Sequence, residues 1–348
     1  MADLEIFQHR RDRLEKWLAG VLPGATSVAL TPFRAASSGF SNVTLLTTMT
    51  VQGAGGPKRR DLVLRAQSSG SALFPDYDLR FQYDVMAALQ KTDVPVPEVL
   101  WFIDDPDVMG GPCYLMEQVR GLVASGFRPG FHGHGLFYDA TVERRQTMWF
   151  NAIDAMAAIH RLPLRGLALP DPLDQHLTGG EAINRTVDDI ESQLARAGIA
   201  LPLLELAVDH LRNRIPTAPT MAVCWGDARP GNIVYRDDQV VAVLDWELAH
   251  LGQPEGDLAY FLLVDEVVAE LNDVPRLDGL PDAAATIAHY EDRLGRSVSD
   301  FAFQTVLQAL RMAAMLALTV TLSPPQLQLR PDYLTENVAM RRISELIN

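Results

Sequence analysis

The 348-residue sequence predicts an α+β fold in two lobes, a small antiparallel-sheet lobe with one main helix (residues 1–119) followed by a larger, mostly helical lobe (residues 120–348). Three observations carry that expectation. Short β-branched or alternating runs, broken by glycine-bearing turns, fill the first part of the chain, whereas most apolar residues of the second recur at helical spacing. The chain is also long enough to bury two separate cores.

Taken in order, Leu14, Trp17, Leu18, Val21 and Leu22 share one helical face and Pro23-Gly24 follows, so an amphipathic helix over residues 6–22 opens the chain. Strands are predicted at 27–33, 43–51 and 62–66, separated by SSGFSN and QGAGGPKRR. A helix over 77–89, a turn at 94–97 and strands at 99–103 and 113–118 complete the first lobe. Beyond it, helical periodicity marks 141–162, 179–197, 202–214, 283–294, 301–322 and 333–347. One strand pair, 233–235 and 240–244, interrupts these helices around the polar turn Arg236-Asp237-Asp238. The stretch GFHGHG at 130–135 is expected to be a solvated loop, because His132 and His134 lack a third metal ligand.

Composition narrows the function. A hydrophobic fraction of 48% with 21% charged residues belongs to a folded globular chain. The formal charge of -14 opposes nucleic-acid phosphates, and no dense Lys/Arg cluster reverses it locally, so no nucleic-acid partner is expected. Cys113 and Cys224 stand apart without a CxxC pattern and are expected to be small core residues in a reducing cytoplasm. Charges interrupt every apolar run of the first 18 residues, leaving no signal-peptide core. The apolar segment 301–322 carries Gln304, Gln308 and Arg311 through its middle, which predicts a buried core helix and no membrane partner.

Polar residues among strand-like ones mark the chemistry. VCWGDARPGNIVY (223–235) runs into VVAVLDWELAHLGQPEGDLAY (240–260), and the hairpin between them brings Asn232 opposite residue 244. An amide oxygen beside the Asp245 carboxylate suits a hard cation such as Mg2+, whose shell phosphates complete. Asp227, five residues before Asn232, faces the same cavity in this reading. A lone D-x-x-x-x-N is common in turns, but that spacing followed by a strand-borne Asp is the order of a kinase catalytic loop and its metal-binding Asp.

These two segments resemble the aminoglycoside phosphotransferase family of protein-kinase-like small-molecule kinases, in particular the branch resembling the kinase-like part of acyl-CoA dehydrogenase fusion proteins. The resemblance extends over nearly the whole chain and implies a protein-kinase-like bilobal fold. It implies Asp227 as the catalytic base for the acceptor hydroxyl, Asn232 and Asp245 as Mg2+ ligands, Glu247 acting on the metal through water, and Asp257 as a brace for the catalytic loop. In the small lobe, Arg65 takes the place of the nucleotide-gripping lysine, and Gln82, standing where an ion-pairing glutamate is usual, is expected to give Arg65 a neutral-partner hydrogen bond, weaker than an ion pair. The segment Ser37-Ser38-Gly39-Phe40-Ser41-Asn42 occupies the place of the phosphate-covering loop, and the backbone of Glu117 and Val119 forms the adenine hinge. Trp225 replaces the family's usual histidine.

The function that follows is an ATP-dependent O-phosphotransferase, with GTP as the alternative nucleotide and a small hydroxylated molecule as acceptor. Arg65, Gln82, Trp225 and the single-glycine loop raise one alternative, a pseudokinase-type module that binds nucleotide without transferring phosphate. The sequence identifies neither the acceptor nor the oligomeric state.

Overall fold

The computed structural model describes residues 2–36, 42–67, 78–171, 173, 178–217, 220–322 and 329–347. The chain divides into two compact units, Met1–Thr92 with Val96–Arg120, and Asp93–Pro95 with Gly121–Asn348.

The first unit runs α1 (Ala2–Val21), β1 (Ala25–Leu30), β2 (Arg34–Ala35), β3 (Asn42–Gly53), β4 (Lys58–Gln67), α2 (Leu79–Leu89), β5 (Val99–Ile103), α3 (Pro106–Met109) and β6 (Cys113–Glu117). Its antiparallel sheet has the order β1-β3-β4-β6-β5, with β2 paired to β3. Strand side chains alternate between faces, so Leu62, Leu64 and Ala66 of β4 join Cys113 and Leu115 of β6 in a core sealed by Leu14 and Leu18 of α1. The opening helix is therefore part of this core. Val63 and Arg65 point to the opposite face, where Arg65 lies in register with Tyr114. Tyr114 Oη donates to Gln82 Oε1 of α2 at 3.4 Å, so α2 meets the sheet on that side. Asp78 caps α2, its side chain accepting from the Arg80 N–H at 2.7 Å.

The second unit holds β7 (Leu122–Val123), α4 (Leu136–Asp139), α5 (Val142–His160), α6 (Gly179–Arg196), α7 (Pro202–Arg212), β8 (Ala222–Cys224), β9 (Ile233–Arg236), β10 (Gln239–Val243), β11 (His250–Gly252), α8 (Glu255–Leu271), α9 (Ala283–Leu294), α10 (Phe301–Leu322) and α11 (Val338–Ile347). Its strands form two small sheets, β10-β9-β7 and β11-β8. The β9–β10 hairpin turns on Asp237 and Asp238, both at positive φ (52° and 63°), as a tight right-twisted hairpin requires. Helix α10 is long and apolar enough to cross a membrane by composition, yet most of it is buried within this unit against α7, α8 and α11.

Several elements depart from the sequence expectation. Helix α8 escapes a search for helical periodicity because it is buried on nearly every side, from Glu255 through Val268, and so lacks a polar face. Strands β7, β8 and β11 are two or three residues long, too short to display alternation. The predicted helix 333–347 divides at Asn337, whose side chain accepts from the Met340 N–H (2.9 Å) and donates to the Tyr333 carbonyl (2.7 Å), starting a new helix instead of continuing one. His132 is not solvated: it is 2% exposed, and its Nε2 lies 2.9 Å from the Asp265 carbonyl and 3.2 Å from the Asp265 carboxylate.

Trp149 ties three helices of this unit together. It is fully buried in α5, packs edge-on to Phe261 of α8 (4.8 Å between ring centroids) and donates to Thr286 Oγ1 of α9 at 3.0 Å. Trp149→Ala is expected to destabilise the unit by about 3–5 kcal/mol through the cavity it leaves. Urea unfolding followed by circular dichroism measures the loss.

Candidate active site

Strand β8 delivers Trp225-Gly226-Asp227 into the interior of the second unit. Gly226 takes φ 87°, and a Cβ there would lie 2.0 Å from the Leu248 carbonyl oxygen, so the chain passes at a place only glycine fits. The two N–H groups freed by this turn both find one carboxylate. Asp257, in the first turn of α8, accepts from the Trp225 N–H (2.6 Å, Oδ2) and the Gly226 N–H (2.9 Å, Oδ1). The indole Nε1 of Trp225 donates to the Leu244 carbonyl at 2.8 Å, joining the loop that carries Asp227 to the end of β10.

Asp257 is itself held. His160, the last residue of α5, places Nε2 3.0 Å from Asp257 Oδ2 and Nδ1 2.7 Å from the Tyr290 hydroxyl of α9. An ionised carboxylate only accepts, so His160 Nε2 is the donor in the contact with Asp257. Burial pushes the Asp257 carboxyl up, but the hydrogen bond and charge of His160, the charge of His250 and the Gly226 N–H outweigh it. The net effect holds Asp257 below the ordinary 3.8.

His160, Cys224 and Asp257 bring ligand atoms within 4.8 Å of one another. A metal there would have to displace the two backbone N–H groups from Asp257 and the Tyr290 hydroxyl from His160, and burial raises the Cys224 thiol well above its ordinary value. The cluster is a hydrogen-bonded brace.

Asp227 receives three donors. Oδ2 accepts from Asn232 Nδ2 (2.6 Å) and Arg229 Nε (2.9 Å), and Oδ1 accepts from the Tyr260 hydroxyl (3.0 Å). Burial raises this carboxyl as well. The Arg229 guanidinium, by charge and by hydrogen bond, together with the Arg311 charge and the Tyr260 hydroxyl, brings it below 3.8. Asn232 sits in the 3-10 turn Pro230–Asn232, where its Nδ2 bonds also to the Asp227 carbonyl (3.2 Å). That anchoring fixes the amide and leaves its Oδ1 without a hydrogen bond among the described residues.

Backbone pairing brings Asp245 to the same place: the Leu244 N–H donates to the Asn232 carbonyl at 2.8 Å, beside the register pair Val243–Ile233. Asp245 adopts φ 61°, a left-handed conformation of the kind that active-site residues retain against a cost of about 1–3 kcal/mol. Its charge also raises the pKa of Arg229. Glu247 lies two residues on in a turn, half-buried. The amide oxygen of Asn232 and the carboxylate of Asp245 are hard oxygen donors, a set suited to Mg2+.

In the first unit the expected nucleotide residues have these settings. Arg65 donates through Nη1 to Thr44 Oγ1 at 2.9 Å, and the hydrogen bond of Gln82 comes from Tyr114, so the Arg65–Gln82 bond expected from sequence does not form. Gln82 is 1% exposed, with Nε2 left without a partner among the described residues. The Glu117 N–H donates to the Glu98 carbonyl (2.8 Å), which removes that group from any hinge contact and leaves the carbonyl for one. The Val119 N–H makes no hydrogen bond among the described residues. Asn42 begins β3, buried; Ser38, Gly39, Phe40 and Ser41 lie outside the described residues.

Sequence reasoning passed over Arg229, Tyr260, His160 and Tyr290. Two of these had a legible signal. Tyr260 follows Asp257 by one helical turn within the GDLAY segment, so both side chains leave α8 on the same face, and Arg229 stands inside GDARPGN itself. His160 and Tyr290 meet this site only through the packing of α5 and α9.

The fold and this arrangement define a kinase-like phosphotransferase class. The phosphotransferase enzyme family model matches residues 32–298, and the chain belongs to that family. A provisionally assigned aminoglycoside phosphotransferase of Ralstonia eutropha JMP134 superposes with a TM-score of 0.72 at 24% identity, covering 96% of this chain and 98% of that one. Aminoglycoside phosphotransferase APH(4)-Ia, in ternary complex with AMP-PNP and hygromycin B, superposes with a TM-score of 0.58 at 14% identity, covering 96% and 97%. These likenesses show the protein-kinase-like fold of the aminoglycoside phosphotransferases. In sequence, acyl-CoA dehydrogenase family member 10 of Mus musculus is 30% identical over 256 residues, 73% of this chain and 22% of that protein. Family member 11 of Gallus gallus is 31% identical over 265 residues, 73% of this chain and 31% of that protein. The chain thus spans between a fifth and a third of the length of these relatives.

Asp257→Asn keeps the shape of the brace but turns an NH2 group towards one of the two backbone N–H donors. A buried donor without a partner is expected to cost about 1–3 kcal/mol, seen as a lower urea midpoint near neutral pH. A carboxyl depressed below 3.8 stabilises the fold above that pH and loses its contribution as pH falls through it. The wild type is therefore expected to weaken on acidification below about pH 4, and Asp257→Asn to do so less steeply, in urea titrations repeated from roughly pH 7 to pH 3.

Proposed function

We propose that this chain moves the γ-phosphate of ATP to a hydroxyl of a small molecule, with Asp227 as the group that receives that hydroxyl. One observation carries the reading. A carboxylate offers about four lone-pair positions, and Asn232, Arg229 and Tyr260 take three of those on Asp227, so an ionised, rigidly oriented oxygen keeps room for one more donor. An acceptor O–H is such a donor. Because Asp227 is held below the ordinary carboxylate range, its main work is alignment, with the proton accepted late as the phosphoryl group arrives.

In this reading Asn232 and Asp245 hold Mg2+ on the phosphates, with Glu247 acting through water. Bound Mg2+ supplies neutralisation of the charge that builds on the transferring group. Arg229 stays within the carboxylate pair and limits their mutual repulsion. Arg65 steadies the phosphate tail from the face of the sheet that also carries Tyr114, and the Glu117 carbonyl and Val119 N–H meet the adenine edge, while the phosphate-contacting role expected of Ser38 to Asn42 rests on the sequence resemblance. The nucleotides bound in the structural relatives favour ATP. The two free, buried thiols suit a cytoplasmic setting.

The pseudokinase alternative rests on Arg65, Gln82, Trp225 and the single-glycine segment, all departures from the family's usual residues. Asp227→Asn separates the two readings. An enzyme is expected to lose at least about a hundred-fold in kcat while keeping its nucleotide affinity. Acceptor-stimulated ADP release across hydroxylated metabolites, acyl-CoA derivatives and aminoglycosides reads kcat, and thermal stabilisation by nucleotide with and without Mg2+ reads binding. A wild type that binds nucleotide and phosphorylates no acceptor supports the module.

A further inference from the structure

Helix α10 carries a polar stripe through the core of the second unit. Gln304, Gln308 and Arg311 follow one another at spacings of four and three, on one face. Gln304 and Gln308 are buried and lie against Gly256 in the first turn of α8. Gln304 donates to Gln253, and Gln308 Oε1 accepts from Arg311 Nη1 at 3.4 Å. Arg311 ends the stripe with its guanidinium over the Tyr260 ring, 5.2 Å from the centroid, and Tyr260 is the residue whose hydroxyl donates to Asp227.

The half-buried Arg311 is electrostatically unlike its neighbours. In the same unit, Arg229 pairs with Asp227, Arg276 with Asp265 and Arg296 with Glu255. Arg311 forms no ion pair among the described residues; its one hydrogen bond is the long contact to Gln308. A guanidinium has five N–H donors, and Nε and Nη2 of Arg311 make no hydrogen bond among the described residues and are not sealed from solvent, so an anion arriving from solution would find donors open to it.

From this placement we infer that Arg311 is a specificity-determining residue, and that the acceptor phosphorylated at Asp227 carries a negative charge next to its hydroxyl-bearing part. The inference rests on the proposed phosphotransfer and sharpens it. Arg229 is already committed to Asp227, while Arg311, without an ion pair among the described residues, stands about one aromatic ring away. A carboxylate or phosphate on the acceptor satisfies Arg311 while the hydroxyl takes the open position on Asp227. A polycationic aminoglycoside meets repulsion at the same point.

The test uses the full chain, its Arg311→Met variant, which keeps the stem length without the charge, and Arg311→Lys. Acceptors are C3 to C6 hydroxy-carboxylates and hydroxyalkyl phosphates, with diols and amino alcohols of matched length. The wild type is expected to favour one anionic series over the diols by about ten-fold or more in kcat/KM. Arg311→Met should lose most of that preference through acceptor KM, with diol turnover falling less than about three-fold and ATP KM little changed, and Arg311→Lys should retain part of it. Preference for amino alcohols, equal losses for diols and anions, or a change confined to ATP KM would overturn the inference and leave phosphotransfer standing. Should no acceptor turn over, phosphotransfer itself fails, and binding decides Arg311. Saturation-transfer NMR with the same anionic acceptors is then expected to show binding that Arg311→Met weakens at least ten-fold, whereas undiminished binding, or none by the wild type, rejects it. Circular dichroism confirms that each variant is folded, and Arg311→Gln replaces a Met variant that is not.

Discussion

The loop that carries Asp227 hangs from one carboxylate. Asp257 accepts both N–H groups of Trp225 and Gly226, and without it two backbone donors would be buried with no partner at the place where the chain must turn most sharply. A carboxylate suits that task better than a neutral acceptor because two charge-assisted bonds converge on it in an interior of low polarity. Its own burial is tolerable only because His160 donates to it and Tyr290 orients His160. The line Tyr290–His160–Asp257 thus carries the packing of α5, α8 and α9 into the position of Asp227.

The same helix reaches the site twice. One turn beyond Asp257, Tyr260 donates to Asp227, so the end of α8 sets both the path of the loop and the orientation of its carboxylate. Asn232 fixes the other oxygen, and its amide is turned by that contact so that the oxygen faces away from Asp227. Asp245 reaches the site through the hairpin ladder and a left-handed backbone. Three independent elements therefore determine the site: β8, the first turns of α8 and the β9–β10 hairpin. Rigidity of this kind suits a reaction in which alignment and charge are most of the work.

Family membership and the surroundings of Asp227 answer different questions. The family match and the solved relatives identify the kind of fold and the general chemistry. They do not carry over an acceptor, since one fold serves many. The charges around Asp227 bear on that choice directly: Arg229 pairs with Asp227, and Arg311 has no ion pair among the described residues. An acidic chain with net charge -14 suggests affinity for cations in bulk, whereas the inferred acceptor preference rests on Arg311 alone, close to Asp227. Local charge outweighs net charge at contact distance because solvent screens the remainder.

Much of the site was legible along the chain because its parts are contiguous. The spacing of Asp227, Asn232 and Asp245 around a short hairpin can be counted, and the strands of the first unit announce themselves by alternation between turns. Helix α8 could not be read that way: burial on all sides removes the polar face on which periodicity depends. His132 was misread as a solvated loop residue because glycines around it suggest surface, while the Asp265 that holds it lies 133 residues away. Arg65 and Gln82 were paired by analogy, and the packing of Tyr114 between sheet and α2 gave Gln82 a different partner. By itself, then, the sequence determined the fold class, the hairpin register and the chemical types gathered in the loop, all consequences of local spacing. Only the tertiary structure decided which donors meet Asp227, that His160 and Tyr290 support Asp257, and that Arg311 stands over Tyr260 with no ion pair among the described residues. Those contacts join residues tens to more than a hundred positions apart, where burial and packing, not local preference, choose the partner.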